Sequence, residues 1–493
     1  MKYKIIGLTT TALVLLAVTL VSLIMPEDNG KRYIEHIDNA PKEQCTEHTN
    51  GELCTHLPVI KIDTAGVEIP GKPIHDIDGR PIGYTLAEDG TNTIKAKLDV
   101  IDNNGKHNHI ADNPTSTNEV LIRVRGHSSR EFEKPNYFVR LVNPDGTNGS
   151  QEFLGMDAHH EWALHGPYLD KSLIRNYMWY NIAGEIMEYS PNVRYFELIL
   201  NGEYRGLYLA TETITAGKFG ARLELEVNKK DNTFSGYALR LDWGDTDEEN
   251  KLYPFTNYTL RAKTQHELVY PGAKNMTAEL KEGIKNEFSQ FEKALYSYDF
   301  NNKDHGYENY IDVESFADYF LINELTCNYD AGWLSTYIYK DIDSKYKMCV
   351  WDFNSACDFY QESAMSTQTF RLQNVLWYKM LFMDSSFTDT VIKRYYELRK
   401  TYFSQKYLFG FIDETTLYLD DSISRNYERW GYTFDEEYDL LHPKKRNVRT
   451  YEQSITQIKD FLTKRLKFMD ENIESLRQYS AESKTKKYNE VSD

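Results

Sequence analysis

The spacing of apolar residues changes about midway along the chain, and this change constrains the fold more than any other feature. Before about residue 245, short runs such as Lys95–Ile101 and Tyr137–Val142 alternate between apolar and polar residues. Such alternation is typical of strands with one buried face. After about residue 275, apolar residues recur every three or four positions, as between Ile455 and Leu476, which is typical of amphipathic helices. The sequence therefore predicts an α+β protein, strand-rich first and helix-rich second.

Two hairpins can be located from local signals. Asn201-Gly202 separates two apolar runs, Val193–Leu200 and Tyr204–Thr211. This dipeptide favours the tight turn between antiparallel strands, because both residues tolerate a left-handed backbone. A second hairpin is predicted from Leu334–Lys340 to Lys347–Trp351.

Helix starts and helical spacing locate further elements. Asp170 precedes a helical pattern from Lys171 to about Met187, and an aspartate there can cap the N–H groups of the first turn. Residues 311–326 and 373–405 are also predicted to be helical. Together with the helix near the C terminus, these segments form the helix-rich part of the chain.

The N terminus carries an apolar run, Ile5–Met25, without a charged side chain. A helix of this length can cross a hydrocarbon core of about 30 Å. Lys2 and Lys4 precede the run and acidic residues follow it, which places the N terminus in the cytoplasm and the main domain outside it. We expect an uncleaved, single-pass signal anchor. The alternative is a cleaved signal peptide, which would give a secreted protein.

The expected organisation follows from these boundaries. A cleft between a strand-rich N-lobe and a helix-rich C-lobe is a natural ligand site. The predicted parts are a transmembrane helix (1–25), a polar stalk (26–56), a folded domain (57–475) with an N-lobe of about 57–245 and a C-lobe of about 275–475, and a polar tail (476–493).

Charge and cysteine content limit the partners. The formal net charge of -18 argues against nucleic acid, because a phosphate backbone would be repelled. Cys45 and Cys54 could form one small disulfide loop in an oxidising compartment, and the sequence leaves this open. Cys327, Cys349 and Cys357 lie in mostly apolar surroundings and are expected to be core thiols. The spacing of these three cysteines matches no strong zinc pattern.

Two aspartates flank the second predicted hairpin. Asp330 lies in the loop between a helix and the first strand, with Ser335 five positions later, and Asp352 ends the second strand in Trp-Asp-Phe-Asn. The hairpin would bring the two carboxylates together. Phosphoryl transfer needs one carboxylate to orient or deprotonate the acceptor hydroxyl and others to hold Mg2+. A turn cap at Asp330 and an arginine pair at Asp352 are the structural alternatives.

A basic segment runs from Arg123 to Arg140. Gly126 and the small polar residues after it can lay backbone N–H groups near a phosphate, and Arg125, Lys134 and Arg140 could add positive charge. An ordinary solvated hairpin is the alternative. The Gly-His-Ser-Ser sequence here lacks the second glycine of a serine nucleophile elbow, so hydrolysis is not favoured.

A third candidate region begins at the helix that Asp170 precedes. Lys171 and Arg175 share a helix face and could meet an anion, and Glu212 follows the Asn-Gly hairpin where a hinge between lobes could begin. Lys171 and Glu212 are therefore further candidates for the nucleotide site. Buried caps and salt bridges explain these residues equally well.

Five segments agree in order and spacing with a known family. They are RGHSSREFEKPNYFVRL, FLGMDAHHEWALHGPYLDKSLIRN, FELILNGEYRGLYLATE, NELTCNYDAGWLSTYIYKD and VWDFNSACD. Through them, and through the opening segment LPVIKIDT, the chain resembles the CotH kinase family, from about residue 57 to about 360 and more weakly to about 475. The resemblance implies a two-lobed, atypical protein-kinase-like fold. It also implies binding of ATP with Mg2+ (or Mn2+) and phosphorylation of Ser or Thr on a secreted or coat protein.

The resemblance also implies residue roles. Asp330 matches the catalytic-loop acid, Asp352 the metal-binding aspartate and Ser335 the second metal-site residue. Asn354 stands where the family often has a second acid, Lys134-Pro135 where it has paired lysines and Arg240 where it has a glutamate. These departures leave an alternative function open, a catalytically weak or inactive surface-anchored structural or adhesion module on the same fold.

Overall fold

The computed structural model describes residues 34–38, 52–217, 222–227, 234–244 and 247–480, with Arg32 and Cys45. The predicted membrane segment, most of the stalk and most of the polar tail lie outside these residues. Among the described residues, no helix is both long enough and apolar enough to cross a membrane.

The strands alternate with loops up to about residue 270, and one further hairpin follows. In chain order they are β1 (Cys54–Thr55), β2 (Val59–Asp63), β3 (Pro73–His75), β4 (Pro81–Tyr84), β5 (Ile94–Ile101), β6 (Asn108–His109), β7 (Ser116–Arg125), β8 (Asn136–Val142), β9 (Gln151–Phe153), β10 (Met156–His159), β11 (Glu161–His165), β12 (Val193–Leu200), β13 (Glu203–Glu212), β14 (Tyr237–Asp242), β15 (Lys251–Leu252), β16 (Gln265–Tyr270), β17 (Thr336–Lys340) and β18 (Lys347–Cys349).

The helices lie mainly in the second half of the chain. In chain order they are α1 (Glu35–Asp38), α2 (Arg175–Ile186), α3 (Phe255–Tyr258), α4 (Ala278–Leu295), α5 (Val313–Thr326), α6 (Leu376–Leu381), α7 (Ser385–Arg399), α8 (Gln405–Trp430) and α9 (Tyr451–Asn472).

Seven strands close into a barrel. Their order is β11-β13-β12-β2-β5-β7-β8, and β8 pairs back onto β11. Only β12 and β2 run parallel among these neighbours. Alternate side chains such as Leu98, Val139 and Phe196 fill the interior and are fully buried. Closure leaves no unpaired strand edge, which explains why the alternating pattern of the first half is stable without helices on both faces.

A second, five-stranded antiparallel sheet has the order β15-β16-β14-β17-β18. Strand β14 lies at its centre, paired with β16 on one side and β17 on the other. Helix α5 is buried along most of its length, and its side chains join the large core of the helical half. This sheet therefore brings residues near 240, 335 and 350 together although they are far apart in sequence.

Several predicted elements are confirmed. The Asn-Gly hairpin is β12–β13, and both turn residues have positive φ, 51° at Asn201 and 81° at Gly202. The second hairpin is β17–β18, and the predicted C-terminal helix is α9. The observed mixture of barrel strands and helices confirms the α+β class, while the two-lobed kinase-like arrangement and its boundaries stay predictions.

The helix predicted to begin at Lys171 was placed too early. It begins at Arg175, because the preceding residues wrap around the Asp170 carboxylate, which accepts the backbone N–H groups of Ser172 (3.0 Å) and Arg175 (2.9 Å). The prediction that Asp170 is the N-cap of the helix is therefore wrong, since the N-cap residue is Ile174 and Asp170 stabilises the turn ahead of it. The helix predicted over 373–405 is also interrupted, since α6 ends at Leu381 and α7 begins at Ser385.

Candidate active site

Three neighbouring strand ends gather the candidate acids. Asp242 is the last residue of β14, and Ser335 immediately precedes β17, which pairs antiparallel to β14. Asp352 follows β18, the next strand along the sheet. Asp330 stands in the tight turn before β17, where its carbonyl oxygen accepts the N–H of Leu334 (2.8 Å). The topology thus places all four residues at one edge of the sheet.

Asp352 is held by its backbone as well as its side chain. Its φ of 57° is in the left-handed region, an unfavourable conformation for a residue other than glycine. Its N–H donates to the Tyr180 hydroxyl (3.0 Å), and its carbonyl oxygen accepts from the Asn328 amide (3.1 Å). These bonds fix the direction in which the carboxylate points.

Asn176, on α2, clamps the residues after Asp352. Its amide oxygen accepts the N–H of Phe353 (2.8 Å), and its amide nitrogen donates to the side-chain oxygen of Asn354 (3.1 Å). The Asn354 N–H in turn donates to the Asp352 carboxylate (3.1 Å). No local pattern marks this role of Asn176 or Tyr180, because both face the segment only after α2 packs beside it.

The carboxylates influence one another electrostatically. Burial, followed by the negative charges of Asp352 and Asp242, raises the pKa of Asp330 from 3.8 to about 7, against an opposing effect of Arg371. Burial also raises the pKa of Asp352, an effect opposed by the Asn354 N–H and the positive charge of Arg125. Asp242, which the sequence did not single out, therefore belongs to the same acidic site.

The glycine-containing loop after β7 stands next to these acids. The Arg125 guanidinium lies 5.4 Å from the ring centre of Trp351, beside Asp352. The His127 ring stacks on Trp243, which follows Asp242, with 5.9 Å between ring centres. Gly126 has a φ of 111°, which glycine adopts without strain. The sequence-predicted basic segment thus reaches the acidic site through Arg125.

Aromatic rings continue from this loop along the site. Trp243 contacts Trp333 (6.3 Å between ring centres), which contacts Tyr329 (5.4 Å), and Tyr329 stacks on Tyr360 (3.7 Å). Trp243 is 55% exposed. Trp243 and Tyr329 are the sequence neighbours of Asp242 and Asp330, so this row of rings lines the site beside the two acids.

The other predicted nucleotide contacts have partners elsewhere. Lys134 is buried and donates to the Asn426 side chain on α8 (2.8 Å). Lys171 donates to the Tyr168 carbonyl (3.0 Å), and burial lowers the pKa of Lys171 to about 7. The remaining two form ion pairs at 2.8 Å, Arg140 with Glu161 and Glu212 with Arg222.

Arg240, the residue in place of the family glutamate, also has carboxylate partners. It pairs with Glu267 on β16 and lies 3.2 Å from a carboxylate oxygen of Asp242. Asp242 is therefore partly neutralised from within the sheet, while Asp330 and Asp352 have no comparable ion pair among the described contacts.

Two surface cavities lie away from this site. A cavity of about 650 Å³ is lined by residues that include Glu68 and Arg130, and another of about 500 Å³ lies between Asp358 and Lys464. Neither cavity includes Asp330 or Asp352, so the site is defined by its converging side chains.

Comparison with known proteins identifies the family to which the chain belongs. The sequence profile of a family described as CotH kinase protein matches residues 122–469, most of the chain. The chain belongs to the CotH kinase family. The matched region contains every residue of the acidic site, and the resemblance found in the sequence is confirmed.

One curated relative bears a CotH-type name. Inner spore coat protein H of Bacillus subtilis (strain 168) is 27% identical over 96 residues, which are 20% of this chain and 24% of that protein. The chain thus matches about a quarter of the relative's length.

Proposed function

We propose that this CotH family member is an atypical protein kinase that transfers the γ-phosphate of ATP to Ser or Thr of a coat or secreted protein. The observation that carries the proposal is the pair Asp330 and Asp352, which are half-buried beside adjoining strand ends, where the charge of Asp352 helps raise the pKa of Asp330. The two-lobed kinase-like arrangement, with this pair in the cleft, is part of the proposal.

Asp330 is proposed to orient and deprotonate the acceptor hydroxyl. A general base works best when its pKa lies near the working pH, and the pKa of Asp330 is about 7. An aspartate with an ordinary pKa would be a weaker base by about three orders of magnitude in proton affinity. Burial and the neighbouring acids therefore suit Asp330 to this role.

Asp352 is proposed as the main protein ligand of Mg2+ or Mn2+. Its fixed carboxylate, in a site crowded with negative charge, has the hard oxygen donors that these ions prefer. Within the described residues, Asp242, Asp330 and Asp352 do not bring three carboxylate oxygens within 4.8 Å of one another. This suits Mg2+, which takes one or two carboxylates and completes its shell with water and phosphate oxygens.

When bound, the ion would supply neutralisation of charge on the phosphates. The chain's own residues hold the ligands in place. Asn176 and Tyr180 orient the Asp352 segment. The amide oxygen of Asn354 accepts a hydrogen bond from Asn176, and Asn354 is proposed as an oxygen ligand. Ser335 is proposed as a further oxygen ligand.

Among the predicted nucleotide contacts, Arg125 has the strongest support. It influences the pKa of Asp352 and comes from the strand that leads into the Gly126 loop. We propose that Arg125 and the loop N–H groups contact the phosphates. Lys134, Arg140, Lys171 and Glu212 have protein partners, so we propose that they support the strands and helices around the site.

The test is transfer of labelled phosphate from ATP by the purified full chain with Mg2+ or Mn2+, followed by mass spectrometry of the labelled protein. Asp330→Asn and Asp352→Asn should each lower the rate by at least about 100-fold. Asp413→Asn is the control, since Asp413 is 62% exposed and pairs with Lys459 on the surface. Labelling by Asp352→Asn at the rate of the parent chain would rule out the proposed mechanism.

A non-catalytic module is the second candidate. The observation that favours it is Lys134, which binds an amide of Asn426 rather than a carboxylate beside the acids. Thermal shift separates the two candidates. A nucleotide with Mg2+ should raise the melting temperature of a kinase, whereas no shift with any nucleotide and divalent ion would favour a structural or adhesion role.

We propose a location outside the cytoplasm, anchored through the segment Ile5–Met25 or released by its cleavage, and associated with a coat. The name of the relative, Inner spore coat protein H, supports the coat association. A kinase there needs a compartment that contains ATP, such as the space around a developing spore. Protease protection of the folded domain in intact cells tests the predicted orientation.

A further inference from the structure

A second cluster of side chains lies where the chain enters the barrel, away from the aspartates in sequence. Strands β1 and β6 pair in a register that sets Cys54 opposite His109. The ligand atoms of Cys45, Cys54 and His107 all lie within 4.8 Å of one another. The Nε2 atom of His109 lies 3.4 Å from the Cys45 sulfur. Two sulfurs and the His107 imidazole therefore form one cluster, and the His109 imidazole adjoins it at Cys45, although the cysteines and histidines come from segments about fifty residues apart.

The distances suit one tetrahedral ion. With zinc–sulfur bonds of about 2.3 Å and zinc–nitrogen bonds of about 2.0 Å, ligand atoms of a tetrahedral site are about 3.5 Å apart. The observed 3.4 Å between Cys45 and His109 matches that edge. The ligand atoms of Cys45, Cys54 and His107 lie within 4.8 Å of one another, so a small inward movement would bring them to the positions of such a site.

The surroundings of His109 also resemble those of a metal ligand. Its Nδ1 atom lies 3.4 Å from the Asp112 carboxylate, while Nε2 faces the cysteine. The carboxylate is itself held by the His109 backbone N–H (2.9 Å) and the Asn103 amide (2.8 Å). Metal-bound histidines commonly donate their second ring N–H to a carboxylate, which fixes the ring and its tautomer.

We propose that Cys45, Cys54, His107 and His109 bind one Zn2+ in a structural site. Thiolate and imidazole ligands select zinc over magnesium or calcium, and four protein ligands leave no open position for catalysis. Each thiol releases a proton to solvent on binding, so two thiolates balance the charge of the ion.

The ion would fasten the entry of the chain to the barrel. Cys54 lies shortly before β2, and His107 and His109 belong to the connection between β5 and β7. The site therefore joins the segment that precedes the first barrel strand to a connection between two other barrel strands. Asn108, between the two histidines, already donates to the Leu57 carbonyl (2.8 Å). Zinc would make this weak two-stranded contact a rigid one.

The competing explanation is a disulfide between Cys45 and Cys54. Both residues are thiols in the structure. A disulfide satisfies the sulfurs alone and gives no reason for two histidines to face them, or for Asp112 to orient one of those rings. The arrangement of the histidines therefore favours the metal.

Metal analysis of the full chain tests the proposal. Protein purified with reductant, equilibrated with Zn2+ and desalted should retain about one zinc per chain. Cys54→Ser, His107→Ala and His109→Ala should each weaken zinc binding by more than about 100-fold. His305→Ala and Cys349→Ala are the controls, because His305 pairs with Asp299 on the surface and Cys349 is buried in a separate core cluster.

A second measurement does not depend on the variants folding. In the parent chain, Co2+ should give the visible bands of a tetrahedral ion and thiolate-to-cobalt charge transfer, and a chelator should lower the melting temperature until Zn2+ is restored. Failure to retain zinc under reducing conditions would overturn the proposal. So would a Cys45–Cys54 disulfide mapped in protein isolated from its native cells without reductant, or full zinc retention by His109→Ala.

Discussion

Asp330 and Asp352 show how residues of one type can receive different tasks from their surroundings. Asp352 is fixed by a left-handed backbone and by bonds from Tyr180 and Asn354. The pKa of Asp330 is raised to about 7 by burial and by nearby acids. A carboxylate held in a fixed position suits a metal ligand, and a carboxylate whose pKa lies near the working pH suits a base.

Replacing Asp330 should stabilise the fold. The pKa of Asp330 rises from 3.8 in the unfolded chain to about 7 in the folded chain, so the folded state binds more protons between these values. Stability is therefore lost as the pH rises from about 4 to about 7. The neutral amide of Asp330→Asn does not ionise, so this variant does not lose stability as the pH rises. At pH 8 its free energy of unfolding should exceed that of the parent chain by about 2 kcal/mol, allowing for partial exposure. Urea denaturation should show a smaller gain at pH 5, and an equal gain at both pH values would contradict the assignment.

Removing Asp242 should shift the pH dependence of activity. Asp242 is one of two acids whose charge raises the pKa of Asp330, so Asp242→Asn should lower that pKa. The acidic limb of kcat/KM then moves to lower pH, because Asp330 ionises earlier. Asp247→Asn, an exposed change five residues on, is the control. An unmoved limb in Asp242→Asn would show that Asp330 is not the titrating group.

At the scale of elements, helix α2 and the loop after β7 position the residues of the site. Neither contains a predicted catalytic residue. Helix α2 contributes the Asn176 clamp and the Tyr180 hydroxyl, and the loop contributes the stacking of His127 on Trp243. Mutations in these elements therefore test whether the acids need to be positioned.

Asn176→Ala should separate positioning from stability. It removes two hydrogen bonds to the Asp352 segment, which should lower activity by about 10- to 100-fold and stability by about 1–3 kcal/mol. Asn181→Ala is a matched control on the same helix, since the buried Asn181 amide donates to the Tyr177 carbonyl (2.9 Å) instead. Both variants should lose stability in denaturation, but only Asn176→Ala should lose phosphate transfer. Equal activity in the two would contradict the clamp.

Gly126→Ala should weaken nucleotide binding. Gly126 has a φ of 111°, and an added Cβ would stand 2.0 Å from the Ser129 hydroxyl. The substitution therefore strains the loop at about 1 kcal/mol or more and displaces Ser129. Gly146→Ala is the control, because its φ of 82° is also positive while its Cβ would meet nothing within 4 Å. The KM for ATP should rise in Gly126→Ala alone.

At the scale of the molecule, the barrel and the C-terminal helices are joined by contacts that no local pattern reveals. The Asn426 side chain on α8 accepts from Lys134 (2.8 Å) and from the backbone N–H of Leu207 on β13 (3.2 Å). The Trp430 ring N–H donates to the Arg205 carbonyl (3.0 Å). Helix α8 thus packs against strand β13 and against the segment at Lys134 that precedes β8.

The buried Lys134 gives a test of this junction. Asn426→Leu leaves the lysine nitrogen buried without its acceptor and should cost about 3 kcal/mol or more, whereas Lys134→Met removes the polar group and should cost less. The double variant should be more stable than Asn426→Leu alone. Equilibrium unfolding measures all three. Loss of ATP-dependent transfer in a stable Lys134→Met would restore Lys134 as a nucleotide contact.

Local sequence patterns allowed much of the fold and part of the site to be predicted. Asn201-Gly202 specified its hairpin, and the acids flanking the second hairpin marked Asp330 and Asp352, because turn chemistry and strand alternation act over a few residues. Asp242 and Asn176 could not be found this way. Their roles depend on strand order and helix packing across more than a hundred residues.

The sequence by itself determined the α+β class, the hairpins and the membership of the CotH kinase family, and it marked Asp330 and Asp352 as candidates, since each depends on short-range chemistry or on matched segments. Only the tertiary structure decided which charges act together. It joined Arg125 to the acids and buried Lys134 against α8, and it raised the pKa of Asp330 by burial and by nearby charge. It also brought His107 to Cys45 and Cys54 and His109 to Cys45, where the sequence had left only a disulfide open. Burial and electrostatic interaction depend on distance in space, which sequence separation does not record.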